Sequence, residues 1–127
     1  MQVFKPTGYN SLSPYLISSD AQQMIKLLAD VFGATVARRF DLPDGKLMHA
    51  ELRIDDSILM LSDSTEKYAP NQTILHLYVA NAVSVFEKAI AAGCKELDPV
   101  TQREGDPDKR GTFTDFDGNM WSVSTQQ

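Results

Sequence analysis

Two histidines and one carboxylate are the side chains of this sequence best suited to chemistry. His49 and Glu51 stand two positions apart in a segment with strand-like alternation, so they share one face of that strand. His76 belongs to a different predicted strand. Imidazole titrates near neutral pH and suits proton transfer, and two imidazoles with a carboxylate can also bind a metal. We therefore treat His49, Glu51 and His76 as candidate catalytic residues; the alternative is that the histidines only hydrogen-bond a ligand or a neighbour.

A second set of side chains is suited to binding a small molecule. Aromatic and thioether groups form apolar walls that adapt to a ligand, and a guanidinium can hold an acidic group with its fork of donors. Ordinary packing is the alternative for the apolar members, and an ion pair with Asp106 or Asp108 is the alternative for the arginine. The candidate ligand-binding residues are Tyr15, Met60, Tyr78, Arg110, Met120 and Ser122.

The elements that position these residues are predicted to occur twice in the same order. Asp20 and Asn81 are each suited to cap the start of a helix, and Gly33 and Gly93 to end one. The helices are flanked by segments rich in β-formers. The predicted strands of the first copy are 12–17, 35–40, 47–54 and 58–61, and those of the second are 73–79, 94–97, 112–114 and 120–124.

This order predicts an α+β chain built from two βαβββ modules. Module one covers about residues 11–62 and module two about 73–125, joined by a polar linker, 63–72, within one domain, 1–127. One helix can cover only one face of its sheet. In strand 47–54 the alternation assigns Met48, Ala50, Leu52 and Ile54 to the apolar side, and His49, Glu51 and Arg53 to the polar side. We expect the two curled sheets to form a shared, polar-lined cleft.

Composition narrows the function classes. The chain is 43% hydrophobic and 23% charged, which is typical of a globular protein. Its net charge of −5 and its lack of a basic cluster disfavour nucleic-acid binding. No apolar run is long enough to span a membrane, and residues 1–10 lack a signal pattern. Because Cys94 is the single cysteine, we expect a cytoplasmic protein.

Several motifs resemble one known superfamily. They are Ser13-Pro14-Tyr15-Leu16, Val31-Phe32-Gly33-Ala34, the segment 48–63, Leu77-Tyr78-Val79 and Asp115-Phe116-Asp117-Gly118-Asn119-Met120-Trp121. Together they resemble the vicinal oxygen chelate superfamily, which contains glyoxalase I, extradiol dioxygenases and the bleomycin- and fosfomycin-resistance proteins. The PhnB-like, glyoxalase-related branch is the most similar. The resemblance implies the glyoxalase-like fold and frequent pairing into homodimers.

The resemblance also implies where a metal would bind. The superfamily's metal enzymes use four positions, on the first and last strands of the two modules, and counting along this sequence assigns them to Ser13, Met60, Ile74 and Ser122. None of these is a good ligand for a divalent ion. We therefore expect a metal-independent small-molecule-binding protein with no cofactor. The alternative is a lyase, isomerase or dioxygenase of the glyoxalase type, with a divalent metal at non-standard positions that include His49, Glu51 and His76.

Overall fold

The computed structural model describes residues 3–127, which contain two helices and two four-stranded sheets. The elements of the first half are β1 (Tyr15–Ser18), α1 (Ala21–Phe32), β2 (Thr35–Asp41), β3 (Leu47–Ile54) and β4 (Ser57–Asp63). Those of the second half are β5 (Ile74–Tyr78), α2 (Ala82–Ala91), β6 (Lys95–Gln102), β7 (Asp108–Thr114) and β8 (Met120–Gln126). Neither of the helices in this described part is long and apolar enough to cross a membrane.

The two sheets have the same strand order. The first sheet is arranged β1-β4-β3-β2 and the second β5-β8-β7-β6. In each sheet the first strand runs parallel to the last, and the other pairs are antiparallel. The prediction of two βαβββ modules is therefore confirmed. The chain divides into two compact units between Pro70 and Asn71, which we call unit 1 and unit 2.

Both helices begin directly after the capping residues that the sequence predicts. Asp20 accepts a hydrogen bond from the backbone N–H of Gln23 at 3.1 Å, and Asn81 accepts one from Ser84 at 3.0 Å. Gly33 ends α1 with a φ of 69°, in the left-handed region that favours glycine. These caps fix where both helices begin and where α1 ends.

The core of unit 1 lies between α1 and one face of the first sheet. Helix positions such as Met24 and Leu28 are buried, as are Leu52 and Leu61 on the strands. The assignment of Met48 to this apolar side was wrong, because its side chain is 52% exposed while Leu47 is 2% exposed. An irregularity in the β2–β3 pairing next to Asp41 places Leu47 inward, which a strict alternation cannot anticipate.

The core of unit 2 is built on two large aromatic residues. Trp121 and Phe113 are each 1% exposed and lie opposite one another on β8 and β7. Phe86 of α2 contacts Phe113 edge to face, with ring centroids 6.0 Å apart. The indole N–H of Trp121 donates to Asp115 at 2.9 Å, which satisfies the polar atom of this buried ring.

Two strands of unit 2 are longer than the sequence predicted. The strands expected at 94–97 and 112–114 extend over Lys95–Gln102 and Asp108–Thr114. β6 is an edge strand that is exposed along most of its length, contains Pro99 and has shifts in its pairing. It therefore lacks the alternation of buried and exposed residues by which a strand is recognised in a sequence.

Candidate functional site

The candidate site lies on the face of the first sheet opposite α1. We call this the polar face; it carries Tyr15, Arg38, His49, Glu51 and Met60. The strand registers bring them together, because Tyr15 and Glu51 both lie beside Met60, and Arg38 lies beside Glu51. Three predicted site residues on separate strands are thus neighbours.

Glu51 is the buried centre of the polar face. Its side chain is 8% exposed, and Oε1 accepts a hydrogen bond from the hydroxyl of Tyr9. Oε2 lies 2.8 Å from Nε2 of His49, and the guanidinium of Arg38 lies 3.7 Å from Oε1. Burial raises the pKa of Glu51, but the hydrogen bonds from Tyr9 and His49 outweigh it and hold that pKa below its ordinary value. Glu51 is therefore a carboxylate at neutral pH.

The ring of His49 links Glu51 to a partly exposed phenol. Nδ1 of His49 lies 3.1 Å from the hydroxyl of Tyr15, whose residue is 40% exposed. An ionised Glu51 can only accept, so Nε2 of His49 donates to it, and in a neutral ring Nδ1 then accepts from Tyr15. The ring of Phe40 stacks near His49, with centroids 6.3 Å apart. These contacts join a hydroxyl, an imidazole and a carboxylate in series.

Three contributors to this site were missed in the sequence. Arg38 and Phe40 alternate along β2, and their spacing could have placed them on one face. Tyr9 precedes the first strand in a segment without periodicity, and nothing in the sequence links it to Glu51. That segment also contacts the sheet through the carbonyl of Gly8, which accepts from the guanidinium of Arg53 at 3.0 Å.

Three of the predicted site residues of unit 2 are in contact, namely His76, Tyr78 and Ser122. His76 lies beside Ser122, with Nδ1 and Oγ 3.0 Å apart. The hydroxyl of Tyr78 donates to Asp108 at 2.7 Å, and its ring meets His76 edge to face. The remaining two are Arg110, which is bonded to Asp106 at 2.7 Å, and Met120, which is half-buried at the start of β8. For Arg110, the ion pair weighed as the alternative is present.

The registers show which first-strand residues lie beside Met60 and Ser122, two of the four positions that the resemblance assigns to metal ligands. Met60 lies beside Tyr15, and Ser122 lies beside His76. Ser13, Met60, Ile74 and Ser122 offer no good ligand for a divalent ion, and the two neighbours add only one imidazole and one phenol, which do not complete a site. Within residues 3–127, no three His, Cys, Asp or Glu side chains are grouped as a metal ion requires.

The single cysteine lies outside these clusters. Cys94 is buried at the end of α2, and burial, with Asp115 nearby, raises the pKa of its thiol to about 11. A thiol with so high a pKa is a poor nucleophile at neutral pH.

The chain resembles proteins of known sequence over most of its length. An uncharacterised protein of Mycobacterium bovis is 29% identical over 124 residues, which cover 89% of this chain and 81% of that protein. Among solved structures, TioX from Micromonospora sp. ML1 matches with a TM-score of 0.78 and 19% identity, covering 93% of this chain and 99% of TioX. The fosfomycin resistance protein FosX from Mesorhizobium loti matches with a TM-score of 0.68 and 17% identity, covering 93% and 92%.

A family model matches most of the chain. The model of the glyoxalase/bleomycin resistance protein/dioxygenase superfamily matches residues 9–123, which include every strand and helix up to most of β8. The two structural neighbours share this fold at low identity, and so inform the architecture alone. The chain belongs to the glyoxalase/bleomycin resistance protein/dioxygenase superfamily.

Proposed function

We propose that this chain is a metal-independent small-molecule-binding protein of the glyoxalase/bleomycin-resistance type. The observation that carries the proposal is the residue set at and beside the four positions that the resemblance assigns to metal ligands. Ser13, Met60, Ile74 and Ser122 offer no good ligand for a divalent ion, and Tyr15 and His76, which lie beside Met60 and Ser122, add a single imidazole. Groups suited to contact an organic molecule surround these positions.

The polar face of unit 1 supplies the first proposed binding surface. Tyr15 and Phe40 are 40% and 49% exposed, and both rings flank His49. Met60 adds a flexible thioether beside Tyr15. Flat apolar walls beside a few hydrogen-bonding groups are typical of sites for planar organic ligands.

The same proposal keeps the ligand contacts predicted in unit 2, which are Tyr78, Arg110, Met120 and Ser122. The bond between Arg110 and Asp106 spans an exposed loop and leaves the arginine 47% exposed, so the guanidinium can still reach a ligand. A charge-assisted hydrogen bond to an acidic ligand contributes about 1.5–3 kcal/mol. Arg110→Ala should weaken binding by that amount, and Tyr78→Ala should weaken it through lost contact area.

The alternative function, an enzyme of the glyoxalase type with a metal at His49, Glu51 and His76, is less well supported. Nε2 of His49 faces Oε2 of Glu51 at 2.8 Å, and the other oxygen of Glu51 accepts from Tyr9. A metal bound by both side chains would have to replace these hydrogen bonds.

A thermal-shift screen tests the proposed function. Protein treated with a chelator is heated with planar weak acids, and the binders are then titrated against the wild type, Arg110→Ala and Tyr78→Ala. We expect binders whose affinity is unchanged by the chelator and reduced by both substitutions; Glu66→Ala, at an exposed position, is the control. Binding that appears only when a divalent ion is added would contradict the proposal.

Three further assignments belong to this proposal. The motifs Asp115-Phe116-Asp117-Gly118-Asn119 and Ala91-Ala92-Gly93 support placement in the PhnB-like branch. The lone cysteine supports a cytoplasmic location, and the acidic net charge of −5 argues against nucleic-acid or membrane partners.

A homodimer is the expected assembly, since two-fold pairing is the commonest. Light scattering should give twice the chain mass; a monomer mass at micromolar concentration would refute that assignment.

A further inference from the structure

A chain of three titratable side chains runs from the interior of unit 1 to its polar face. It begins at Glu51, passes through the ring of His49 by contacts of 2.8 Å and 3.1 Å, and ends at the hydroxyl of Tyr15. The inner carboxylate is 8% exposed, whereas Tyr15 is 40% exposed. A hydroxyl or other acidic group held by an imidazole that a buried carboxylate orients is the general pattern of an activated proton acceptor.

The surroundings of Glu51 keep this chain in one protonation pattern. The hydroxyl of Tyr9 and the guanidinium of Arg38 both favour the ionised carboxylate. The carboxylate in turn requires a proton on Nε2 of His49, which leaves Nδ1 free to accept from Tyr15 in the neutral ring. Arg53 is the other charged group on this face, and it is bonded to the carbonyl of Gly8.

We propose that Tyr15, His49 and Glu51 form a proton relay that accepts the proton of a weakly acidic hydroxyl ligand, a phenol or an enol, bound on the polar face. The ligand O–H bond breaks and its proton moves to the oxygen of Tyr15. The proton of Tyr15 moves to Nδ1 of His49, and the imidazolium that results pairs with the carboxylate of Glu51. Protons and charge balance without a further reactant, and the ligand is held as its anion.

The charges on the polar face suit this outcome. Before the transfer the pair of His49 and Glu51 carries the single negative charge of the carboxylate; the proton that reaches His49 makes the pair neutral overall. Arg38 is half-exposed beside Glu51 and adds a fixed positive charge to the face that receives the anion. This inference rests on the proposed function, because the ligand must bind on the same face.

The test uses a pair of probes of similar shape, 4-nitrophenol and 4-nitroanisole. Only the first has an acidic hydroxyl, and its anion absorbs visible light that the neutral form does not. We expect both to bind the chelator-treated full chain, and bound 4-nitrophenol to be mostly anion below the pH at which it ionises in water. The anion fraction of the bound 4-nitrophenol, measured at a saturating concentration of probe, should fall severalfold in Tyr15→Phe, His49→Gln and Glu51→Gln. Tyr68→Phe, also in unit 1, is the control and should match the wild type.

A second readout needs no ligand. With only two histidines in the chain, nitrogen NMR of the imidazole rings resolves each of them. We expect His49 to carry its proton on Nε2 in the wild type, and its Nδ1 signal to shift in Tyr15→Phe while the signals of His76 do not.

The outcomes separate the two proposals. Bound 4-nitrophenol with the same anion fraction in all variants would overturn the relay and leave ligand binding intact. If neither probe binds, the polar face is not a binding surface for planar ligands, and the NMR result alone decides whether the relay exists. His49 with its proton on Nδ1, or with a Nδ1 signal indifferent to Tyr15→Phe, would overturn the relay.

Discussion

Glu51 is held as an anion in a nearly buried position by neighbours that come from different parts of unit 1. Tyr9 reaches it from the segment before β1, His49 from its own strand, and Arg38 from β2. A buried charge is tolerated only where such partners replace water. The contact of Tyr9 was not evident from the sequence, because no pattern links its segment to Glu51, whereas that of Arg38 follows from alternation along β2 once the β2–β3 register is known.

The stability that Glu51 provides should depend on pH. Its folded pKa lies below the ordinary value of 4.5, so its contribution is present above about pH 4.5 and is lost as the pH falls through the folded pKa. At neutral pH, Glu51→Gln should lower the free energy of unfolding by about 1.5–3 kcal/mol, the contribution of a hydrogen bond to a charged group. Urea denaturation at pH 7 and at successively lower pH measures this. The difference in the free energy of unfolding between the variant and the wild type should shrink on acidification; a constant difference would mean that Glu51 is neutral in the folded protein.

Tyr9 can be tested separately from Glu51. Tyr9→Phe removes one hydroxyl donor and leaves the ring, so the pKa of Glu51 should rise towards its ordinary value. NMR titration of the Glu51 carboxyl carbon gives that pKa directly. Tyr68→Phe should leave it unchanged, and a Glu51 pKa unaffected by Tyr9→Phe would show that the hydrogen bond does not form in solution.

At the scale of elements, the last strand of each module anchors the helix of that module. Asp63 at the end of β4 accepts from the first backbone N–H of α1 at 2.7 Å, and Thr125 on β8 accepts from that of α2 at 2.8 Å. The two positions correspond in the repeat. The carboxylate of Asp63 also accepts from Leu47 at the start of β3, so it ties three elements together.

The charge of Asp63 predicts unequal costs for the two anchors. Asp63→Ala leaves two backbone donors without their charged acceptor, and hydrogen bonds to a charged group contribute about 1.5–3 kcal/mol each. Thr125→Val removes a neutral hydroxyl that accepts from Ala82 and donates to the carbonyl of Val79 at 2.8 Å; neutral hydrogen bonds contribute about 0.5–1.5 kcal/mol each, so this cost should be smaller. Urea denaturation of both variants, with Glu66→Ala as an exposed control, gives the comparison. A loss for Thr125→Val as large as that for Asp63→Ala would contradict the role given to the charge of Asp63.

The order of elements could be predicted from the sequence because it depends on local signals. Asp20 and Asn81 act on the backbone three residues ahead, and Gly33 acts at its own position. The residue of β1 that lies beside Met60 could not be predicted in the same way. That parallel register joins segments far apart in the chain and is set by packing under α1.

At the scale of the whole molecule, the two modules share one architecture but carry different side chains on the corresponding faces of their sheets. Position by position, Tyr15 corresponds to His76, Met60 to Ser122 and Glu51 to Thr112. The position of unit 2 that corresponds to the buried carboxylate of Glu51 therefore holds a threonine. The superfamily fold is common to proteins with many activities, so the side chains on these faces, and not the fold, determine the function.

The central claim is that this member of the superfamily binds its ligand without a metal. Elemental analysis of the purified protein, after dialysis against zinc, nickel, manganese and iron and then against buffer, tests it most directly. The residues at the four positions predict a content of each metal far below one ion per chain. One ion bound per chain, and lost in His49→Ala or His76→Ala, would contradict the claim and favour a metal enzyme with non-standard ligands.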